Sequence, residues 1–407
     1  MIFLKNLRNL LSNKDIDLLT STIDDNLALA NTLIEKAVGY FKLPFALTSG
    51  IKINSKFYPY IPLVTEETSV VAALSKNIAF LRANSTIIAS QTGFCCIGQI
   101  HFPHLLSPQL FEQKISLMKQ KLIDQANQNP CISMAKRGGG VKDIHVRMMK
   151  ISDCRTMGIV HVMLDSKDAM GANLINQTCE YLKPFIEEIT TEKSLISILS
   201  NLNTEKLTSI ELFIENIDED LAYNIQEASL IAQYDHYRAV THNKGILNGM
   251  DAVCIATGND WRALEAGMHG FASHKGHYQG LSKWVSNGRQ LKGTLIGPIN
   301  VGIVGGMTKI HPLADFSLRC LEVENSYELA YVIGAVGLIQ NFAALRALVT
   351  GGISSGHMRL HLKNLIKQTD ATSDEQENLI KILKKVFFEK KYITATDAHE
   401  ILKKLRL

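Results

Sequence analysis

Apolar and polar positions follow two different periods between residues 96 and 200. Four segments have the apolar runs or strict alternation typical of strands: 97–102, 143–148, 159–164 and 195–199. Two segments repeat apolar residues every three or four positions, as amphipathic helices do: 111–122 and 172–186. The predicted order is strand, helix, strand, strand, helix, strand. This order is typical of a ferredoxin-like plait.

Helical patterns dominate on either side of this segment. The first is an apolar stripe at Val70, Leu74, Ile78 and Leu81. It predicts a helix that begins just after Glu66 and Glu67, with Ser69 as its N-cap. Further patterns predict helices at 217–233, 260–275 and 326–349, and a strand at 212–214. We expect these flanks to pack together as one discontinuous domain.

The last fifty residues differ from the rest of the chain in charge. The net charge of the 407 residues is +4, and the 11 basic and 7 acidic side chains from Met358 onward account for all of it. Capping signals at 373–376 and 394–397 precede apolar helical stripes. The sequence therefore predicts an α+β protein with three parts. They are a mainly helical large domain (1–94 and 202–352), an inserted ferredoxin-like small domain (95–201) and a C-terminal helical flap (353–407).

Composition excludes several classes of protein. A nearly balanced charge does not favour a nucleic-acid binder. Seven cysteines form an odd set without a C-x-x-C pair, so we expect a cytoplasmic protein with no disulfides and no metal site. The apolar stretch 331–350 is interrupted by Gln340, Asn341 and Arg346, which predicts a buried helix and not a membrane span. No G-x-G-x-x-G Rossmann motif occurs.

Several polar motifs could carry chemistry, although each also has an ordinary structural explanation. Glu66 and Glu67 could be the acidic residues that helix N-termini favour. The remaining motifs could be polar turns, packing turns or capped helix starts: 168–173, 241–245, 258–261, 302–306 and 356–358. The apolar run between Lys244 and Asp260 suggests one buried element that carries both groups. A buried lysine beside a carboxylate is suited to polarising a carbonyl.

In combination, order and spacing these motifs resemble the 3-hydroxy-3-methylglutaryl-coenzyme A (HMG-CoA) reductases of class II, the soluble bacterial type. The resemblance extends from about residue 7 into the tail. Its main motifs are Pro-Leu-Val-Thr-Glu-Glu at 62–67, Arg-Gly-Gly-Gly at 137–140, Asp-Ala-Met-Gly-Ala-Asn at 168–173, Thr-His-Asn-Lys-Gly at 241–245 and Thr-Gly-Asn-Asp-Trp-Arg at 257–262. At 35–39 the chain departs from the family pattern, with Lys36 in place of asparagine.

The resemblance implies four catalytic residues. Lys244 would stabilise the oxyanion that forms as the thioester is reduced, and Asp260 would hydrogen-bond to Lys244 and keep it charged. Glu67 would be the general acid, which requires a buried, protonated carboxyl group. His357, next to the flap, would protonate the departing coenzyme A thiolate.

The resemblance also implies binding residues. The substrate would contact Arg8, Ser69, Arg238 and Asn248, with Arg8 on the coenzyme A part. The dinucleotide would contact Asp168, Met170, Gly171, Asn173, Asn201, Gly305 and Gly306. NADPH is favoured and NADH tolerated, because 126–133 contains no acid and two cationic residues follow at 136 and 137. The family forms homodimers with a shared active site, and its class II members often assemble three dimers into a hexamer.

The implied function is reduction of HMG-CoA to mevalonate and coenzyme A in isoprenoid synthesis. Three alternatives remain open at this level. Oxidation of mevalonate with NAD is disfavoured by the missing acid. A non-catalytic coenzyme A-binding scaffold is disfavoured by the set of proton donors, and an NAD-linked hydroxyacid dehydrogenase by the missing Rossmann motif.

Overall fold

The computed structural model describes residues 27–37, 40–153, 155–351, 362, 365–390 and 393–406. The first elements are helix α1 (Leu27–Leu33), strands β1 (Phe45–Ile53) and β2 (Lys56–Val64), helix α2 (Val70–Leu81) and strand β3 (Ser85–Thr92). β1 and β2 form an antiparallel pair. Helix α2 begins where the apolar stripe predicts.

Ser69 precedes α2 but does not cap it, so this part of the prediction is wrong. Its φ of 77° lies in the left-handed region, and its hydroxyl makes no bond to the first helical N–H groups. An N-cap side chain needs an extended backbone to reach those groups. The hydroxyl of Ser69 is therefore directed elsewhere.

The inserted segment contains strand β4 (Cys96–Phe102), helices α3 (Pro108–Gln128) and α4 (Ile132–Ala135), strands β5 (Gly140–Ser152) and β6 (Arg155–Asp165), helix α5 (Ala172–Thr190) and strand β7 (Ile196–Leu199). The strands form one antiparallel sheet in the order β5-β6-β4-β7. This is the strand order of a ferredoxin-like plait. The predicted sequence of strands and helices is confirmed, with the short α4 added.

The chain then returns to the first part of the fold. The elements are strand β8 (Leu207–Ile214), helices α6 (Glu219–Tyr234), α7 (His236–Ala256) and α8 (Trp261–Ser273), strands β9 (Ser282–Asn287) and β10 (Gln290–Gly297), and helices α9 (Met307–Ile310), α10 (Pro312–Leu321) and α11 (Ser326–Thr350). The helices α6, α8 and α11 lie within two residues of their predicted bounds. A second sheet has the order β3-β8-β10-β9, so β3 and β8 pair directly across the inserted segment.

Strands are under-predicted in these flanks. The sequence pattern predicts a single strand at 212–214, whereas the described residues of these flanks form six strands. The β9–β10 hairpin turns at Gly288 and Arg289, and Gly288 has a φ of 55°, so a glycine at the first turn position is the signal in the sequence for this two-residue hairpin turn. Strand β3 has a weaker signal in the sequence, because its apolar run Ile87-Ile88-Ala89 is short and flanked by polar residues.

Helix α11 is, among the described residues, the one helix long and apolar enough to cross a membrane. Within its most apolar window, however, 72% of the helix is buried inside the fold. It packs against α2, α6, α7 and β8. The prediction of a buried core helix is confirmed.

The tail contains helices α12 (Ser373–Lys390) and α13 (Ala395–Leu405). These helices surround a small apolar core of their own, which includes Leu365, Leu379 and Leu402. Thr394 caps α13 in a reciprocal capping box with Asp397, as predicted. The start of α12 differs from the prediction: the N–H of Thr372 donates to the Glu375 carboxylate, one residue earlier in register than the expected box.

Candidate active site

Three polar side chains from distant parts of the sequence meet beside helix α7. The Lys244 ammonium donates to the carboxylate of Glu67, which lies just before α2. Asn248, one turn further along α7, donates to the other oxygen of Glu67 at 3.3 Å. Residues 241–245 are helical, so the alternative that they form a polar turn is wrong.

Exposure of the Glu67–Lys244 pair differs from the expectation. The side chains are 39% and 58% exposed, whereas the chemistry requires a buried lysine and a buried carboxyl group. The physical reason is that none of the described residues shields this part of α7 from solvent. A ligand or a second subunit would have to exclude water from the pair.

A cavity of about 800 Å³ extends from this pair between helices α2, α7 and α11. Its polar and charged lining residues are Glu67, Thr68, Ser69, Lys76, Asn77, Arg238, Thr241, Lys244, Asn248, Gln340, Arg346 and Thr350. Four of them are cations and one is an acid. The cavity is therefore suited to an anionic ligand.

Two groups at the Lys244 end of the cavity lack partners within the described chain. The Ser69 hydroxyl is buried without a hydrogen bond. Arg238 takes part in none of the ion pairs between described residues, and burial lowers the pKa of its guanidinium. The Ser69 hydroxyl, whose burial without a partner is costly, and the half-buried Arg238 guanidinium are both placed to donate to a ligand oxygen.

Buried polar side chains fix the position of α7. Asn243 donates to the Gln279 carbonyl and accepts from the N–H of Leu281. His242 Nε2 lies 2.7 Å from Ser282 Oγ, and Ser282 donates to Asn341 of α11. The helix that carries Lys244 is thus tied both to the β9 side of the core and to α11.

Asp260 is not in contact with Lys244, contrary to the expectation. Its carboxylate caps α8 by accepting from the N–H groups of Arg262 and Ala263. Lys244 lies in the interior of α7, twelve residues before its last residue Ala256, which corresponds to ~18 Å along the helix axis. One buried element does run between the two groups, but it separates them along its length instead of bringing them together.

Asn259, the residue before Asp260, anchors the loop that contains Gly305 and Gly306, two of the residues expected to contact the dinucleotide. Asn259 exchanges two hydrogen bonds with the backbone of Gly302, and the N–H of Ile303 donates to the Asp168 carbonyl. The Asp168 carboxylate accepts from the N–H of Ser326, the first residue of α11. Asp168 thus fastens the plait to the core helix.

The other expected dinucleotide residues lie around this junction. Met170, Gly171 and Asn173 form the N-terminal turn of α5, and Gly171 at its N-cap has a φ of 91° and leaves the first helical N–H groups without a side-chain cap. Gly305 and Gly306 have positive φ angles and open space on the side where a Cβ would lie. Asn201 is exposed on the return from the plait.

Cations surround the turn that precedes β5. Lys136, Arg137 and Lys142 are exposed there, and Lys142 donates to the Gly138 carbonyl. Lys167 pairs with the buried Asp165 at 2.9 Å and lies close to the same turn. In the described part of the chain, no group of three His, Cys, Asp or Glu side chains is placed to hold a metal ion.

Arg8 and His357 lie outside the described residues. The cavity lining also includes residues that the sequence did not assign to the site, among them Lys76, Asn77, Gln340 and Arg346. A signal for two of them was present, because Gln340 and Arg346 are polar residues in an otherwise apolar helix. Asn77 and Lys76 carry no such signal, since they occupy ordinary positions of an amphipathic helix.

Comparisons with known proteins agree with this geometry. The family model for hydroxymethylglutaryl-coenzyme A reductase matches residues 3–362. The chain belongs to the HMG-CoA reductase family. A reductase of Archaeoglobus fulgidus is 42% identical over 88% of the chain and 82% of that protein. A probable reductase of Borreliella burgdorferi is 35% identical over 92% of the chain and 87% of its own length.

Solved structures show the same similarity. A class II HMG-CoA reductase from Streptococcus pneumoniae, bound to NADPH in open conformations, matches with a TM-score of 0.81 and 39% identity over 85% of this chain and 96% of that one. Another structure of the Streptococcus pneumoniae reductase matches 99% of this chain and 96% of that chain with a TM-score of 0.82 and 37% identity. The mixed α/β fold is therefore that of the family, and the alternative functions left open by the sequence are not favoured.

Buried His242 predicts a stability change with pH. Burial, followed by the nearby charge of Arg238, lowers the pKa of His242 to about 3, whereas the unfolded value is about 6.5. Below pH ~6.5 the unfolded chain binds a proton that the folded chain does not, so folding stability should fall by up to ~1.4 kcal/mol per pH unit. Urea unfolding at pH 7, 6 and 5 measures this slope.

The matched control is His242→Gln, which removes the titrating group. Other groups titrate in both proteins, so the difference between the two slopes isolates His242. Equal slopes would show that His242 is protonated or exposed in the folded chain.

Proposed function

We propose that this chain reduces HMG-CoA to mevalonate and coenzyme A with two molecules of NADPH. The observation that carries the proposal is the contact of Glu67, Lys244 and Asn248 at the end of a cation-lined cavity. A cavity of about 800 Å³ is within the range of small-molecule and cofactor sites. Membership of the reductase family supports the same reaction.

Substrate binding follows from the unpartnered groups near Lys244. The carboxylate of the hydroxymethylglutaryl part would pair with the Arg238 guanidinium, which can grip it with two hydrogen bonds. Ser69 would donate its hydroxyl to the same part of the substrate. The thioester carbonyl would then lie between Lys244 and Glu67.

The two reductions use the same residues. Bound NADPH would supply one hydride in each step. Lys244 would stabilise the negative oxygen that forms on the carbonyl, and Glu67, oriented by Asn248, would deliver the proton. Between the steps the carbon–sulfur bond breaks, and His357 would protonate the coenzyme A thiolate so that it leaves as a thiol.

The residues at the plait junction fit a dinucleotide. The uncapped N-terminus of α5 after Gly171 offers backbone N–H groups and a positive helix end to a pyrophosphate. The open backbone of Gly305 and Gly306 allows close approach. Three exposed cations between Lys136 and Lys142 would attract the additional phosphate of NADPH, and the Streptococcus pneumoniae reductase binds that cofactor. We infer that residues 95–201 form the cofactor domain.

We infer that the active site is shared between two subunits of a homodimer. Asp260 lies beside the cofactor loop and makes no contact with the Lys244 of its own chain. In a dimer, the Lys244 of one chain would meet the Asp260 of its partner, which would also bury the Glu67–Lys244 pair. A stripe of exposed apolar residues on α6 and α7 offers a surface for this contact: Tyr223, Leu230, Ile231, Tyr234, Tyr237 and Val240.

Two further roles complete the proposal. Arg8, which lies outside the described residues, would contact coenzyme A, and residues 353–407 would act as a flap that brings His357 to the thiolate. A hexamer of three dimers remains a prediction from the family resemblance. Five buried cysteines are free thiols, which suits the reducing cytoplasm that we propose as the location: Cys95, Cys96, Cys131, Cys179 and Cys254.

The proposed reaction predicts the ratio of NADPH oxidised to coenzyme A released. Purified protein should oxidise two NADPH for each coenzyme A thiol released from HMG-CoA. NADPH consumption followed by absorbance and thiol release followed by a thiol reagent measure the ratio. A ratio of one would indicate that the reaction stops at the aldehyde, and no consumption would contradict the proposed function.

Substitutions at the catalytic pair should lower turnover without preventing binding. Lys244→Ala should reduce kcat by ~10² to 10³, because it removes the cation beside the developing oxyanion. Glu67→Gln should reduce mevaldehyde turnover by ~10² to 10⁴ with little change in KM, because the amide keeps the shape and lacks the proton. Lys283→Ala, an exposed lysine on β9, is the control. Near-normal turnover in either site variant would remove that residue from the mechanism.

A shared site predicts rescue between two inactive variants. Lys244→Ala and Asp260→Ala homodimers should each be nearly inactive. In a mixed dimer one site receives both substitutions and the other site receives neither, so random exchange of subunits should restore about a quarter of normal turnover. Activity measured after mixing and re-equilibration tests this, and no recovery despite verified exchange would place both residues in one subunit's site.

A further inference from the structure

Two acidic side chains that the proposed reaction does not use face each other between helices α7 and α8. Asp251 lies on α7 and Glu265 on α8, and the two carboxyl groups interact directly. The Oδ1 atom of Asp251 is buried without a hydrogen-bond partner. Neither residue takes part in an ion pair with another described residue. Two carboxylates in contact repel each other, so the pair is most stable when it shares one proton.

The surroundings keep this proton on Asp251. Burial, followed by the charge of Glu265 and a hydrogen bond to it, raises the pKa of Asp251 to about 8. Asp260 is a further acid nearby, since its charge and that of Asp251 both act on Cys254. Arg262, on the same helix as Glu265, is directed towards Asp260 at 3.7 Å. In the described chain no cation of α2, α6, α10, α11 or β2, which also pack against α7, offsets this negative charge.

The acidic pair lies about halfway between the two groups that a single chain keeps apart. Asp251 follows Lys244 by seven residues of α7, which is ~10 Å along the helix axis. Glu265 follows Asp260 by five residues of α8, which is ~8 Å. Because α8 turns back beside α7, Asp260 lies beyond the pair on the side away from Lys244.

Two-fold symmetry makes this midpoint special. If the Lys244 of each subunit meets the Asp260 of its partner, the rotation that exchanges the subunits also exchanges the two ends of the line between these groups. The midpoint of that line does not move, so it lies on the two-fold axis. Asp251 also shares the half-open side of α7 with Lys244, because it follows through Asn248 at helical intervals of four and three.

We propose that the Asp251 and Glu265 carboxyl groups of both subunits meet at the two-fold axis of the dimer, and that each pair must hold a proton there for the subunits to associate. This inference rests on the proposed function, because it assumes the shared active site. A protonated carboxyl group can donate a hydrogen bond across the axis, whereas four carboxylates could only repel one another. The dimer therefore binds these protons more tightly than the separate chains do.

The competing explanation is confined to one chain. In that case the shared proton only joins α7 to α8, and the pair never meets its copy. Ionisation of Asp251 would then affect the monomer and the dimer equally. The two explanations differ in one quantity, which is the dependence of the dimer dissociation constant on pH.

The test measures this Kd by analytical ultracentrifugation at pH 6, 7, 8 and 9, without substrate. Below the pKa of about 8 both states hold the protons, so Kd should be nearly constant between pH 6 and 7. Above it the separate chains lose them, and Kd should rise by up to ~100-fold per pH unit, because two protons are linked to each dimer. Asp251→Asn keeps the shape and a hydrogen-bond donor without titrating, so its Kd should stay low at pH 9.

Asp124→Asn is the matched control, because it removes a carboxylate that is exposed on helix α3 of the plait. It should follow the wild type at every pH. A constant Kd in the wild type, or an equal rise in Asp251→Asn, would overturn the proposal.

A measurement on the wild type covers the case in which Asp251→Asn does not fold. The heat of dimer dissociation at pH 9, measured by calorimetric dilution in two buffers of different ionisation enthalpy, gives the protons released. About two protons per dimer are expected. Equal heats in the two buffers would contradict the linkage.

Thiol cross-linking tests the position of the pair even if the dimer is too tight to dissociate. A short bifunctional thiol reagent should join the subunits of Asp251→Cys but not those of Asp124→Cys or the wild type. A dimer that forms without this cross-link would place the pair away from the axis.

None of these measurements requires turnover, so they separate the contact from the reaction. A pH-linked, cross-linkable dimer that does not oxidise NADPH with HMG-CoA would support the contact and reject the proposed function. An active reductase whose Kd ignores pH would reject the contact alone.

Discussion

A helix of 25 residues with apolar side chains around its whole circumference is stable in water only when other elements cover every face. Helix α11 imposes this constraint on the fold. Its faces are covered by helices α2, α6 and α7 and strand β8, which pack against it. Because two of these helices carry the walls of the cavity, the same burial that stabilises the core also assembles the site.

Polar groups along α11 connect it to each part of the site. At its first residue, Ser326 donates its N–H to Asp168 in the loop next to the proposed dinucleotide site. Near its middle, Asn341 accepts from Ser282 and Trp284 within the network that positions His242 on α7. Near its end, Arg346 reaches α2. One rigid element thus sets the relative positions of groups that are distant in sequence.

The sequence predicted best those features that depend on local periodicity. The plait, the helix after Glu67 and the buried helix α11 all follow from apolar spacing that extends over several turns or strands. The orientation of Ser69 does not follow from such spacing, since a left-handed backbone at a non-glycine residue depends on its tertiary surroundings. The separation of Asp260 from Lys244 was also missed, because motif spacing does not reveal whether two groups meet within one chain or across two.

The cavity lowers the folding stability of the ligand-free protein. Arg238, Lys244, Lys76 and Arg346 face one space with Glu67 as the one acid among its lining residues. Like charges and unpartnered buried atoms oppose folding, and a bound anion would relieve both. A ligand that binds only the folded state stabilises it in proportion to the logarithm of its concentration, so occupancy and stability are linked in this protein.

The insertion of the plait also affects how the chain can fold. Strands β3 and β8 pair although Thr92 and Leu207 are 115 residues apart in sequence. Within the plait, β4 and β7 are neighbours, and Gly98 lies opposite Leu199, so a folded plait brings its own two ends together. The loop that remains to be closed then has about ten residues, which lowers the entropic cost of pairing β3 with β8 by about 2 kcal/mol. Early folding of the inserted unit therefore speeds formation of the sheet that surrounds it.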